Sequence, residues 1–367
     1  MQKNFNRLLK LFLVFVSGFV LSYIYSEDLY LKLGSGTLGI FYAEFSIGTI
    51  PLIFYLFIWW RKHKYQEEDK FIHFLRISFG YLWILDALLQ MQPGMNEYFA
   101  AMIIAPNISA GGLTSYVSTF ALSLWNMHPV VFDVASSLIQ LYIGGVLLTQ
   151  NRGKIYSLTQ MIAILWGFSI WIFGEGFGGA FGSGATILTG FPGSVLIYVY
   201  ASLILLLSSK NRGGMIRKSS YFFGGLIFIP SLIVQLMPSN GYLGNMSVIF
   251  MPMPSPSGIL NFANEFQLYF TQSPVWPDIV TLFLILASAA GWILGKSYGY
   301  VFSGILASFS WIVFQGLGIL GILSTDPNTG LPVLIISIFF YLWTKEYFTS
   351  SNGFKEQTPL PLMETKN

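Results

Sequence analysis

The chain has no cysteine among its 367 residues. That absence removes disulfides, thiolate catalysis, iron–sulfur ligation and cysteine-based zinc sites together. Histidine is nearly as scarce, with only His63, His73 and His128. A bis-histidine haem needs two that face each other within a membrane, and their placement offers no such pair. Charge is scarce as well: 10% of residues are charged, where soluble domains carry about a quarter. A net charge of +3 gives no sign of nucleic acid as a partner. The chain also lacks a Walker loop, a dinucleotide fingerprint after a strand, an HExxH helix and a TVGYG filter, which argues against ATP-driven or zinc-protease chemistry within it.

What the chain has instead is apolar length. Hydrophobic residues make up 54% of it, and a membrane span needs about 20 of them in a row. Candidate spans fall at about 9–26, 38–60, 74–92, 129–150, 155–173, 191–208, 220–238, 275–295, 298–320 and 331–346. The expected fold is therefore all-α, a polytopic bundle of about ten transmembrane helices in the cell membrane, with lipid as its surroundings. The first apolar run, Leu11 to Tyr25, follows Lys3, Arg7 and Lys10 but lacks a good cleavage site, and is read as an uncleaved helix. With both termini cytoplasmic, every Lys and Arg except Lys32 falls on the inner side. Losing one span would scramble that bias, so the even count is expected to hold.

The membrane block occurs twice. Gly80 to Gln90 and Pro93 return at a constant shift as Gly225 to Gln235 and Pro238, and Pro129 and Asp133 return as Pro274 and Asp278. The segment Trp171-Ile-Phe-Gly-Glu-Gly-Phe-Gly178 returns as Trp311-Ile-Val-Phe-Gln-Gly-Leu-Gly318. Thr189-Gly-Phe-Pro192 returns as Thr329-Gly-Leu-Pro332. The expected organisation is an N-terminal hairpin and basic loop at 1–70, repeat one at 71–213, repeat two at 214–347 and a disordered cytoplasmic tail at 348–367. Four spans return a chain to its starting side, so the two repeats share one orientation, with a pseudo-two-fold axis along the membrane normal. On the outer side, residues 93–128 and 239–274 lack Lys and Arg, and Tyr98–Ile104 and Tyr116–Trp125 read as short apolar helices that lie at the interface or re-enter.

The copies differ where chemistry could sit. Asp86 lies inside a span, where an acid costs on the order of 3 kcal/mol and is a functional candidate by default; its counterpart is Ser231. Gln90, four residues on, shares its helix face. Glu175, between two glycines, faces Gln315 in the other copy. His128 can shuttle protons near neutral pH and is matched by Ser273. At each of these differences the ionisable group falls in repeat one, so repeat one is expected to hold the site, with Asp86, Glu175 and His128 as its catalytic candidates. Asp133 and Asp278, near helix starts marked by Pro129 and Pro274, read as acids complementing the helix dipole. Gln90, Gln315, Asp133 and Asp278 are supporting polar groups. Arg76 is expected to snorkel to the headgroups. Glu44 is a further intramembrane acid without an assigned role. Asn107-Ile-Ser109 and Asn245-Met-Ser247 are glycosylation sequons.

The opening of repeat one, Arg76-Ile-Ser-Phe-Gly-Tyr-Leu-Trp-Ile-Leu-Asp-Ala-Leu-Leu-Gln90, resembles the DoxX-like family of four-helix membrane proteins, which includes the DoxD-type subunit of thiosulfate:quinone oxidoreductase. The longer Leu-Gln-Met-Gln-Pro-Gly and Gly-Glu-Gly-Phe-Gly-Gly patterns are similar to prokaryotic membrane proteins of uncharacterised role. The resemblance covers repeat one well and repeat two weakly. It implies the membrane subunit of a quinone-linked redox complex, with electrons handled by the quinone or a partner subunit, since no haem, flavin or cluster ligands are evident. A permease built on parallel repeats, with a site at Asp86, and an assembly subunit that docks through its outer loops are the alternatives.

Overall fold

The computed structural model describes residues 69–91, 94–182, 184–209, 213–240, 257–315 and 325–351. The expected N-terminal hairpin, Glu44, His63, Asn245 and the last residues of the tail lie outside these. Among the described residues the chain is all helical. α1 (Lys70–Gln90) is followed by a short α2 (Met95–Phe99), a π turn and a 3-10 turn, and then α3 (Gly112–Met127). α4 (Pro129–Thr149), α5 (Lys154–Phe173) and α6 (Ser194–Ser209) complete the first half. The second half comprises α7 (Gly213–Gln235), α8 (Ser257–Gln272), α9 (Val275–Ile293), α10 (Ser297–Phe309) and α11 (Gly330–Ser351). α11 runs through the first residues of the expected tail, so the helix outlasts the apolar stretch that suggested its end.

Local chemistry explains several boundaries. Asp69 starts α1, its Oδ1 accepting from the backbone amides of Phe71 and Ile72 at 2.9 and 3.1 Å. Pro129 occupies the first turn of α4, where its missing N–H costs nothing. Pro274 sits one position earlier, at the N-cap of α9. Among the described residues, five helices are long and apolar enough to cross a membrane: α1, α4, α5, α9, and α10 together with its π continuation to Phe314. α6 and the apolar part of α11 are shorter.

Packing follows the same pattern in both halves, with one exception. α1 lies against α4 and α5 against α6; likewise α7 lies against α9 and α10 against α11. α9 and α10 also pack closely, because Gly291 and Gly299 bring the two backbones together and a Cβ on either would overlap the other helix. α4 and α5 touch far less. The helices therefore splay in the first half, and α3 lies over the gap, contacting both. The halves join through α6 against α7 and α11, and through α1 against α11. Tyr200 stacks on Phe223 across this junction, ring centres 3.8 Å apart and planes within 8°. Stacked aromatic rings add dispersion contact to the junction beyond the area they bury.

Arg76 corrects an expectation. It is fully buried, not extended to the surface. Its guanidinium donates to the carbonyl of Leu147 in the last turn of α4, and Nη2 lies 3.1 Å from His73 Nδ1. A cation placed on the free carbonyls at a helix C-terminus is favourable on both hydrogen-bond and dipole grounds.

Candidate functional site

The gap between α4 and α5 is a cavity of about 250 Å³. Its mouth is apolar, formed by Phe120 and Leu124 of α3 and by Phe173 of α5, all well exposed. Its walls carry Trp83, Trp125, Phe132 and Trp166. Its closed end is polar: Asp86, Gln90, Gln140, Glu175 and Asp326 all line it.

Each acid is set by a different element. Asp86 projects from α1, with 4% of its surface exposed, and its Oδ1 accepts from the Tyr198 hydroxyl of α6 at 3.2 Å. Tyr198 is held edge-on by Phe79 and Trp83, ring centres 5.2 and 4.9 Å away. Glu175 follows α5 and reaches the start of α6, where Oε1 accepts from Ser194 Oγ at 2.8 Å and from the Val195 amide at 3.3 Å. A carboxylate suits the first turn of a helix, where amides lack partners. Its second oxygen, Oε2, is sealed from solvent and has no hydrogen-bond partner. Gly193 makes this approach possible: it adopts φ +99°, and a Cβ there would overlap Glu175 Oε2.

Asp326 comes from the loop between α10 and α11, in the other half of the chain. Its Oδ1 accepts from the Asn328 amide at 2.6 Å, a turn in which an acidic side chain replaces a backbone acceptor. Burial and the nearby Asp326 carboxyl push Glu175 up to about 8. Burial likewise raises Asp326. At neutral pH Glu175 therefore holds a proton, and it can lose it within the range a cell experiences.

The loops are exchanged reciprocally. While the second half sends Asp326 to Glu175, the first half sends residues 187–190 to Gln315. Gln315 Nε2 donates to the Leu188 carbonyl at 3.2 Å and to Ser310 Oγ at 2.5 Å, and its Oε1 accepts from the Gly330 amide at 2.8 Å. The two loops touch where Thr329 Oγ1 donates to the Gly190 carbonyl at 2.6 Å. The cavity beside Gln315 is only about 10 Å³, room for about one water at most.

The structure thus brings Asp86, Glu175 and Gln90 together and leaves His128 out. His128 is exposed, at the junction of α3 and α4, and does not line the cavity. Asp133 and Asp278 are fully buried and bridge helices: Gln90 Nε2 donates to Asp133 Oδ1 at 2.6 Å, and Gln235 Nε2 donates to Asp278 Oδ1 at 2.8 Å. Both aspartates lie about a turn beyond the helix start and are tied by these bonds to a neighbouring helix, a cross-link that the dipole argument did not anticipate. Asn107 of the first sequon is engaged too, its amide donating to the carbonyls of Ile103 and Gly174 at 3.0 and 3.1 Å, so it clamps the glycine loop before Glu175. Asp326, Tyr198, Ser194 and Gln140 are site residues that sequence reasoning missed. A signal for Asp326 was present: counted back from the shared Thr-Gly pair, it occupies the place of Thr186, whose hydroxyl accepts from the Leu188 amide at 3.1 Å in a matching turn. Here the ionisable group lies in the second half of the chain, against the expected direction, yet it lines the cavity of the first half.

No family model matches the chain, and neither a curated protein nor a solved structure matches it.

Proposed function

We propose that this is an integral membrane protein of about ten spans, made of two four-helix repeats with the same orientation, whose first repeat binds a lipophilic solute and passes it between lipid and the acidic end of the cavity. The observation that carries the reading is the aromatic cavity opened by the splay of α4 from α5 and closed by three carboxyl groups. Pockets of this kind, mostly apolar with a few converging polar groups, are the usual form of a small-molecule site. The matched Gln90–Asp133 and Gln235–Asp278 bonds and the reciprocal loops support the duplication. A permease or exchanger fits this arrangement better than an assembly subunit, which has no use for three acids, one buried and two half-buried, around an open cavity.

Binding is testable in the full chain reconstituted in nanodiscs. Trp83, Trp125 and Trp166 line the cavity, so a brominated aromatic that enters should quench their emission. Ala121→Phe, which fills the cavity from α3, should remove most of that quenching without lowering the unfolding temperature. Equal quenching in the variant would place the ligand elsewhere and sink the reading.

A second reading has its own observation. Trp83 and Trp166 line the cavity and each has an indole N–H that is buried and unpartnered. Two donors on an apolar wall suit the two carbonyls of a quinone, as the DoxX-like resemblance implies. Such a ligand would supply the electron chemistry, while Asp86 and Glu175 would exchange its protons. A quinone that co-purifies with the chain and is lost in Ala121→Phe would favour this reading.

A further inference from the structure

We infer that the ligand of this cavity is a lipophilic organic monocation, of the aromatic-amine or quaternary-ammonium class, and that its binding displaces one proton held by the Glu175–Asp326 pair. The inference rests on the ligand-site reading above and names its substrate class.

The wall presents aromatic faces from Trp83, Trp125, Phe132 and Trp166, and an aromatic face attracts a cation through its quadrupole, most strongly where water is excluded. Among the described residues the charged groups that line the cavity are all acidic. Asp86 faces it from α1, Glu175 from the α5–α6 connection and Asp326 from the α10–α11 loop, while α3, α4 and α5 contribute only apolar, Ser and Gln side chains to the lining. Tyr198 of α6, bonded to Asp86, is the other titratable group in contact with these acids. Among the described residues no Lys, Arg or His lines the cavity.

A second, independent observation lies on α4. Gln140 is 94% buried (6% exposed), lines the cavity, and its Oε1 has no hydrogen-bond partner. Glu175 Oε2 has no partner either, and it becomes an acceptor once the carboxyl ionises. Unfilled acceptors beside carboxyl groups call for a ligand that brings donors or positive charge. Among the described residues no three acids or histidines are close enough to hold a metal ion, and a mostly apolar wall could not replace the hydration of an inorganic cation. An organic cation with aromatic or alkyl bulk matches the aromatic faces of the wall and the acids at the closed end, and leaves the Trp83 and Trp166 N–H groups as they are.

The proton balance follows. Without ligand, Glu175 is held protonated by burial and by Asp326 beside it. A cation entering reverses that balance: the carboxyl ionises against the ligand and its proton leaves to solvent. One charge in and one proton out keeps the buried site at constant charge.

The test uses the full chain in nanodiscs with two probes of nearly identical shape, benzyltrimethylammonium and its neutral isostere neopentylbenzene. Titration calorimetry in two buffers of different ionisation heat counts the protons released. The expected result is that the cation binds at least tenfold more tightly than the isostere, releases close to one proton at pH 7, and gains about tenfold in affinity per pH unit between pH 6 and 7, as one-proton linkage requires. In the Glu175→Gln/Asp326→Asn double variant, proton release should vanish. If that variant folds poorly, Gln140→Leu, which leaves the acids in place, should weaken cation binding while proton release per bound cation stays near one. If the isostere binds as well as the cation, or proton release is zero, the cation inference fails and the ligand-site reading stands. If neither probe binds or quenches cavity tryptophans, both fail.

Discussion

In the second half, α9 and α10 meet backbone to backbone at Gly291 and Gly299. In the first half, the corresponding pair, α4 and α5, parts and leaves about 250 Å³ between its helices. The side chains follow the same division. Glu175 keeps an unpartnered oxygen at the closed end of the cavity, whereas the amide of Gln315 is bonded on both its nitrogen and its oxygen. Asp86 borders open space, whereas Ser231 returns its hydroxyl to its own helix, donating to the Ile227 carbonyl at 2.7 Å. One half is closed scaffold, and the other holds its acids over a space that they do not fill. Yet the closed half is not a bystander, because its loop supplies Asp326. A shared set of helix contacts can therefore be sealed or opened by the spacing of a single helix pair, and the chemistry gathers where it is opened.

The largest effect should come from the seal. Gly299→Leu forces a branched side chain against the Gly291 backbone and should cost about 3 kcal/mol, lowering the unfolding temperature in detergent by several degrees or abolishing the monodisperse peak on gel filtration. Full stability in that variant would mean that the close approach of α9 and α10 is not what distinguishes the halves.

A smaller effect, equal in the two halves, is expected at the shared cross-links. Gln90→Leu and Gln235→Leu each leave a buried aspartate without its amide donor, and each should cost about 1–3 kcal/mol. Denaturant unfolding of the two variants side by side checks this. A loss confined to one of them would show that the two bonds are not equivalent parts of one scaffold.

The smallest effect is a slope with pH. Glu175 is raised from 4.5 in the unfolded chain to about 8 in the folded protein. Between those values the folded state holds a proton that the unfolded state has released, so stability is full at low pH and falls as pH rises through about 8. The unfolding midpoint should decline from pH 5 to pH 8.5, and Glu175→Gln should flatten the decline. Gln315→Glu should steepen it, since that site has no room for a solvated charge. A wild-type profile that rises with pH over this range would contradict the burial of Glu175.

How much could be read from the residues alone differs from feature to feature. Each of the eight expected spans from 74 onward overlaps a helix, with ends that differ by up to seven residues at the start of α7, and five of those helices are long and apolar enough to cross a membrane among the described residues, because hydropathy and the Pro and Asp signals at helix starts act over one or two turns. Asp86 and Glu175 were legible as buried or close-packed acids, since an ionisable group in an apolar run or between glycines needs no partner to be noticed. Their nearness to each other was not legible, and neither was the separation of His128, which shares a sequence neighbourhood with Asp133 but does not line the cavity. Asp326, in Asp-Pro-Asn-Thr-Gly, was not singled out, because its destination lies in the opposite half of the chain. The buried position of Arg76 depended on the α4 C-terminus lying beside it, which no local pattern reports.

By itself the sequence determined that this protein is an assembly of apolar helices poor in charge, and that its two halves repeat the same polar landmarks. Those properties are sums over about 20 neighbouring residues, and a chain cannot hide them. The tertiary structure alone decided which helix pair opens, which acids share the resulting space, and which loop crosses to complete it. These depend on distances between backbones far apart in sequence, where one Gly–Gly approach closes a helix pair that would otherwise leave room for a ligand.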